Sequence, residues 1–422
     1  VPHVVFVAPR FLENTNRYVA AFAALHDRGV RLSVVSADPA EAIPVSLKKH
    51  IVGHYRVADA MVARDLLEGV RALQKGIGPV DRLTGALEQL QVPMAEVREA
   101  LGIEGIHSEV ARNFRDKDRM KDVLRAAGVP VAKSGLAVHA NGLRSFAESV
   151  GYPIVVKPQA GLGARATYRI GSREELEALL TSVAPSERRP LQVEEFVRAR
   201  EHTCETVTIR GETVWRSGTR YLPSPLEVLE NPWMQYCVLL PRETEGTVWN
   251  AFAATNDAAL RALFGASART AAGTALTHME WFLRDGVGPN QPNMLVNEVG
   301  VRPPGVAIMP LMGLAHDTDL FADWAELIAL DRFTPKARRW AAGAAFLRGH
   351  GHGSHVASVT GVAEVVAKLG DALVELRAPK VGQPRALEGY EGEGWATVRA
   401  ATTDGAKQAL KTIIEGIRIT YR

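Results

Sequence analysis

The spacing of apolar and polar positions changes several times along the chain, and the changes outline its architecture. Residues 4–8, VVFVA, and residues 30–37, VRLSVVSA, are nearly continuous apolar runs, as strands covered on both faces require. Between them, Arg17 to Arg28 carry helical periodicity, and Gly29 suits a C-cap. This strand–helix–strand unit predicts an α/β block, which VDRLTGALEQLQVP and MAEVREALGI extend with more helix to about residue 108.

The texture then changes. SEVARNFRDKDRMKDVLRAAG, residues 108–128, reads as one charged helix ending at Gly128, with Val129 and Pro130 as its stop. Residues 140–150 predict another helix, and YPIVVKPQAGLGARATYRI predicts a strand, a glycine turn and a returning strand. Ser172 and Glu175 have capping-box spacing at the head of the next helix. PLQVEEFV and EHTCETVTIRGETVWRSGTRYL read as strands, with a turn near Arg210 and Gly211. Residues 221–246 hold several prolines with Trp233 and Tyr236, and read as an irregular segment with exposed aromatics. VWNAFAATNDAALRALF is helical, and strand character returns twice around DGVGPNQPN. Short strands and a terminal helix, TTDGAKQALKTIIEGIR, close the chain. The pattern predicts an α/β domain over 1–108, an α+β domain over 109–345 with a small lobe at about 135–198, and a small α+β domain over 346–422.

Bulk properties narrow the function classes. The 422 residues, 46% hydrophobic, suffice for about three domains. With 23% charged residues and a formal net charge of +3, nothing suggests a nucleic-acid scaffold. Cys204 and Cys237 are too few for a disulfide framework and lack metal-type spacing, so two reduced thiols are expected. The opening VPHVVFVAPRF lacks the basic start and cleavage site of a secretory signal, and no run of eighteen apolar residues predicts a membrane span. The expectation is a soluble, cytoplasmic protein, with a homodimer as the generic assembly.

Candidate chemistry begins at Lys157, a lysine inside the apolar run IVVKP. Such a lysine snorkels from a strand edge, pairs with a buried acid or meets an anionic ligand. The loop with Gly161 and Gly163 favours the last, because backbone N–H groups approach an anion closely where Cβ atoms are absent. No GK[ST] follows the glycines, so this is not a Walker loop. Further on, Glu280 and Glu298 lie in apolar settings equally distant from Pro289, where a hairpin would oppose them across two strands. Facing carboxylates repel unless a proton or a cation intervenes, and magnesium suits carboxylate oxygens and phosphates together. The bland alternative pairs each acid with an arginine or exposes it. Arg302 is a candidate anion clamp, and His278 shares the strand face of Glu280 by alternation. His350, His352 and His355 are separated by glycines without an accompanying acid, and read as a loop.

In the order of these motifs the chain resembles the ATP-grasp superfamily of carboxylate–amine ligases over about residues 108–310. The resemblance implies ATP held between two α+β lobes, with Mg2+, or Mn2+ in its place. It assigns Lys117 and Lys157 to the phosphates, and Gly161 and Gly163 to a flexible loop above them. Glu194 would accept from the adenine amino group, Phe196 and Val197 would complete that hinge, and Glu201 would hold the ribose. Glu280 and Glu298 would be metal carboxylates, and Arg302 would meet the transferred phosphate or the substrate. One departure stands out: EVGVR places Gly300 and Val301 where many members have E-x-N-P-R.

The implied reaction is ADP-forming amide synthesis through an acyl phosphate, from a small carboxylate and an amine, such as an amino acid or peptide. Arg216, Arg220, Trp233 and His278 are the expected substrate-side residues. Acyl transfer to a thiol or ammonia, and a nucleotide-binding regulator without turnover, are the rival readings.

Overall fold

The computed structural model describes residues 2–159, 166–231, 234–244, 246–284, 293–305, 307–386 and 391–422, apart from the side chain of Thr247. Gly161, Gly163 and Trp233 lie outside the described residues.

The first block is a parallel sheet of β1 (His3–Val7), β2 (Arg31–Ser36), β3 (Ile51–Arg56) and β4 (Arg82–Thr84), in the order β3-β2-β1-β4. Its apolar runs are continuous because both faces are covered. Val4 and Phe6 pack with Tyr18 and Phe22, while Val5 and Val7 enter a second core with Leu66, Val70 and Met94. Gly29, at φ 82°, ends the first helical segment as expected, after a tightened turn over Ala24–Arg28. The strand order reverses between β1 and β4, so the loops leaving their carboxyl ends flank one crevice.

The predicted single helix over 108–128 is two helices, Ser108–Arg115 and Lys117–Ala126. Asp116 is extended between them, and its carboxylate accepts from the N–H groups of Asp118 and Arg119. An aspartate inside a charged run is a cap here, which the helical period alone conceals.

The small lobe contains β5 (Ser134–Ala137), β6 (Ile154–Pro158), β7 (Tyr168–Ile170) and β8 (Leu191–Glu195), ordered β5-β8-β6-β7. Helices Ala140–Val150 and Arg173–Ser182 cover one face, where Ile154, Val156 and Val193 meet Leu143 and Leu176. Strand alternation turns Val155, Lys157 and Glu194 the other way. Ser172 caps the second helix by accepting from the N–H of Glu175 at 3.3 Å.

The large sheet comprises β9 (Arg200–Ile209), β10 (Glu212–Leu222), β11 (Tyr236–Leu240), β12 (Ala275–Leu283), β13 (Met294–Gly300) and β14 (Ala341–Leu347). After β15 (Val356–Thr360), β16 (Leu373–Arg377) and β17 (Gly394–Ala400) complete it in the order β13-β12-β9-β10-β11-β14-β17-β16. β15 pairs with β18 (Arg418–Tyr421) as a separate ribbon. Two expectations change. The segment 221–246 contains the fully buried strand β11, and Tyr236 is 0% exposed rather than a surface aromatic. Flanking prolines and the lack of alternation hid it. The expected boundary at 345/346 falls inside β14, through which the C-terminal strands join the large sheet. β14 is built of small residues because helices close on both sides. Gly343 faces Leu410, and a Cβ there would stand 2.8 Å from its Cδ1.

Candidate active site

A cleft of about 990 Å³ opens between the small lobe and the large sheet. Lys157, Glu194, Phe196 and Val197 line it from the lobe side, and Glu201, His278, Glu280 and Glu298 from the sheet. Lys117 and Arg302 also reach it. Glu280 and Glu298 are direct partners across β12 and β13, as inferred from the sequence, and Asn297 is the extra residue of a bulge between this pair and Trp281–Val296. The Asn297 side-chain amide stands 3.5 Å from Glu280 Oε2.

Lys117, Lys157 and Arg302 are already engaged by carboxylates. Lys117 Nζ lies 2.7 Å from Glu298 Oε1. Lys157 Nζ and Lys121 Nζ both lie 3.0 Å from Glu194 Oε1, so Lys157 realises the buried-acid reading while lining the cleft. Burial alone would raise the Glu194 carboxyl, but the two ammonium groups outweigh it and hold it at about 2. Burial likewise opposes ionisation of Glu298, and Lys117 and Lys157 bring it to about 2. Glu201 moves the other way, to about 8, through burial and the charge of Glu280. His278 donates from Nδ1 to Glu205 Oε1 at 2.7 Å, and its Nε2 stands 3.7 Å from Glu280 Oε1. Those carboxylates overcome burial and lift the imidazole to about 9.

Glu194 yields a pH prediction. Its carboxyl titrates near the ordinary 4.5 when unfolded and near 2 when folded. Ionised Glu194 therefore stabilises the fold above about pH 4.5, and this contribution disappears as the pH falls toward 2. Glu194→Gln is expected to flatten the decline of unfolding free energy across that window, measured by urea unfolding at stepped pH. An unchanged slope would contradict the ion triad.

Not every expected residue reaches the cleft. Arg216 pairs with Asp257 and donates from Nε to Asn256 Oδ1 at 3.3 Å, on the face of β10 turned to helix Thr247–Phe264. Arg220 pairs in register with His202, whose ring stacks on Trp281 at 4.6 Å on that same face. Both arginines lie behind the sheet, because β10 alternates and it is Tyr221 that faces the cleft. Conversely, Lys121, Glu205, Asn297 and Glu88 take part in or adjoin the site without having been singled out from the sequence. Lys121 was detectable: at four residues from Lys117 it shares that helix face.

Comparison with known proteins places the architecture. The crystal structure of an L-amino acid ligase from Bacillus licheniformis superposes with a TM-score of 0.74, covering 100% of this chain and 99% of that chain at 16% identity. N5-carboxyaminoimidazole ribonucleotide synthetase from Thermotoga maritima does so at 0.69, over 100% of both chains and at 17% identity. The chain has the ATP-grasp fold. The family model described as carbamoyl-phosphate synthase L chain, ATP binding domain, matches residues 116–208, which hold the small lobe. An L-arginine-specific L-amino acid ligase of Bacillus subtilis is 27% identical over 180 residues, 42% of this chain and 44% of that protein. The alanine–anticapsin ligase of Bacillus subtilis is 35% identical over 78 residues, 18% of this chain and 16% of that protein. The matches thus span less than half the length of these curated relatives.

Among the described residues, no three His, Cys, Asp or Glu side chains converge as a metal-holding group. The two facing carboxylates are nevertheless hard oxygen donors. A hard divalent cation that keeps water and phosphate oxygens in its shell needs no more from the protein. The residues present fit Mg2+ in that sense, with Lys117 as its competitor for Glu298. No helix among the described residues is long and apolar enough to cross a membrane.

Proposed function

We propose that this ATP-grasp protein is an ADP-forming carboxylate–amine ligase that makes an amide through an acyl phosphate. The observation that carries the reading is the register pairing of Glu280 with Glu298 at the floor of a cleft whose other wall presents Lys157. In this reading Lys117 and Lys157 release their carboxylates in part to offset phosphate charge, and Glu280 and Glu298 would hold Mg2+, which would supply charge neutralisation for phosphoryl transfer. Phe196 and Val197 supply backbone groups to the adenine, and Glu201 meets the ribose. Glu194 serves chiefly as the counter-ion that keeps Lys157 aimed into the cleft. Arg302 meets the transferring phosphoryl group or the substrate carboxylate. Closure of the lobe over the cleft protects the acyl phosphate from water.

An amino acid or small peptide is the favoured substrate class, supported by the likeness to the L-arginine-specific ligase and the alanine–anticapsin ligase. The domains serve as an N-terminal block at one wall, a closing lobe and a central sheet with its C-terminal extension. A cytoplasmic location and a homodimer accompany the reading. The test is a screen of amino-acid and dipeptide mixtures with MgATP, following ADP and the mass of the product. ADP together with an amide product is expected. A thioester product would change the acceptor. Nucleotide binding without ADP in any mixture would replace the ligase reading by a regulatory one.

A further inference from the structure

Among the described residues, the N-terminal block lines the cleft with the side chain of Glu88. Glu88 stands in the 3₁₀ turn Glu88–Leu90, just past the carboxyl end of β4, where the order of the parallel sheet reverses. It is only 9% exposed, yet it lines the cleft. A carboxylate so enclosed needs cations, and two reach it from outside the parallel sheet. Arg302 donates to Glu88 Oε2 from Nε at 3.2 Å and from Nη2 at 2.8 Å, and Arg115 Nη1 lies 3.3 Å from Oε1.

The division of Arg302's donors is the informative part. A guanidinium has five N–H donors, and Nε shares one edge of the plane with Nη2. Glu88 takes that edge, and the carbonyl of Pro303 accepts from Nη1 at 2.9 Å. One proton on each Nη is not used in these bonds. A fork fixed along one edge keeps its plane in place and presents the remainder with little loss of side-chain entropy.

Building on the ligase reading, we propose that Glu88 is a positioning residue, which holds Arg302 so that its remaining Nη donors form an anion subsite for the phosphoryl group. The N-terminal block thereby completes the phosphate end of the site.

The probe is inorganic phosphate, titrated calorimetrically into the MgADP-saturated full-length protein. Wild type is expected to bind phosphate, whereas Glu88→Ala loses about 10- to 100-fold in phosphate affinity with ADP affinity unchanged. Glu88→Gln, which keeps an acceptor oxygen of the same reach, restores part of the loss. A purely structural Glu88 would lower ADP and phosphate affinity together, or only the unfolding temperature, and either result overturns the proposal. Equal phosphate affinity in wild type and Glu88→Ala, or no phosphate binding by the wild-type MgADP complex, overturns it while leaving the nucleotide reading intact. Failure of the wild type to bind ADP at all removes that reading and this inference with it.

Discussion

Glu298→Gln is expected to lower the rate of ADP formation by about 100- to 1000-fold, while the protein remains folded. The substitution keeps the shape of the side chain and removes its charge. That charge is present at working pH, because Lys117 and Lys157 outweigh burial and hold the carboxyl at about 2. An amide opposite Glu280 leaves one carboxylate where the proposed Mg2+ needs two. It also leaves the Lys117 ammonium, now 2.7 Å from Glu298 Oε1, without its anion. Electrostatic support of phosphoryl transfer is worth several kcal/mol, and each 1.36 kcal/mol is tenfold in rate, which gives the stated range. Steady-state turnover with the substrate found by screening checks it. Glu212→Gln, at an exposed pair with Arg269, is the control and should turn over normally. If Glu298→Gln kept more than half of wild-type activity, the facing carboxylates would have no part in catalysis.

How much of this was readable in the sequence depends on the range of the interaction. The Glu280–Glu298 pairing was legible because the two strands are near neighbours in the chain, but its register also depends on the bulge: Trp281 faces Val296, and the extra residue Asn297 is what brings Glu298 opposite Glu280. Lys157 was legible as an exception to an apolar run. Its partner was not, since Glu194 comes from β8 and Lys121 from a helix that precedes the lobe, and no period relates the three. Arg216 and Arg220 failed for a related reason. Alternation along β10 puts them on one face together, but which face meets the cleft is decided by the helix Thr247–Phe264 packed behind. β11 was missed because a central strand buried on both faces has no polar positions to alternate with, and the prolines flanking it suggested a loop. The Glu88–Arg302 contact spans 214 residues and depends on how the parallel sheet meets the large one. Local pattern has no access to such a contact.

The largest stability effect is expected at Lys121 rather than at any residue of the cleft wall. Its side chain is 1% exposed, and Glu194 beside it is 5% exposed. Burial depresses the Lys121 ammonium more than its ion pair with Glu194 supports it. The anion in contact with it, Glu194, is shared with Lys157. Removing one partner of a buried pair costs about 3–5 kcal/mol, mostly because the other charge is stranded. Lys157 remains to neutralise Glu194, so Lys121→Met should fall at the lower end, about 3 kcal/mol. Methionine fills similar volume with Met120 and Leu124 nearby, which keeps a cavity from dominating the result. The decisive measurement is a double-mutant cycle in urea. Lys121→Met with Glu194→Gln should cost less than the sum of the two single variants, by about 0.5–3 kcal/mol, since the amide no longer demands a cation. Additive losses would mean that Lys121 is retained for its packing alone, and that the carboxylate bridging the helix to the lobe is not what holds Lys157 in the cleft.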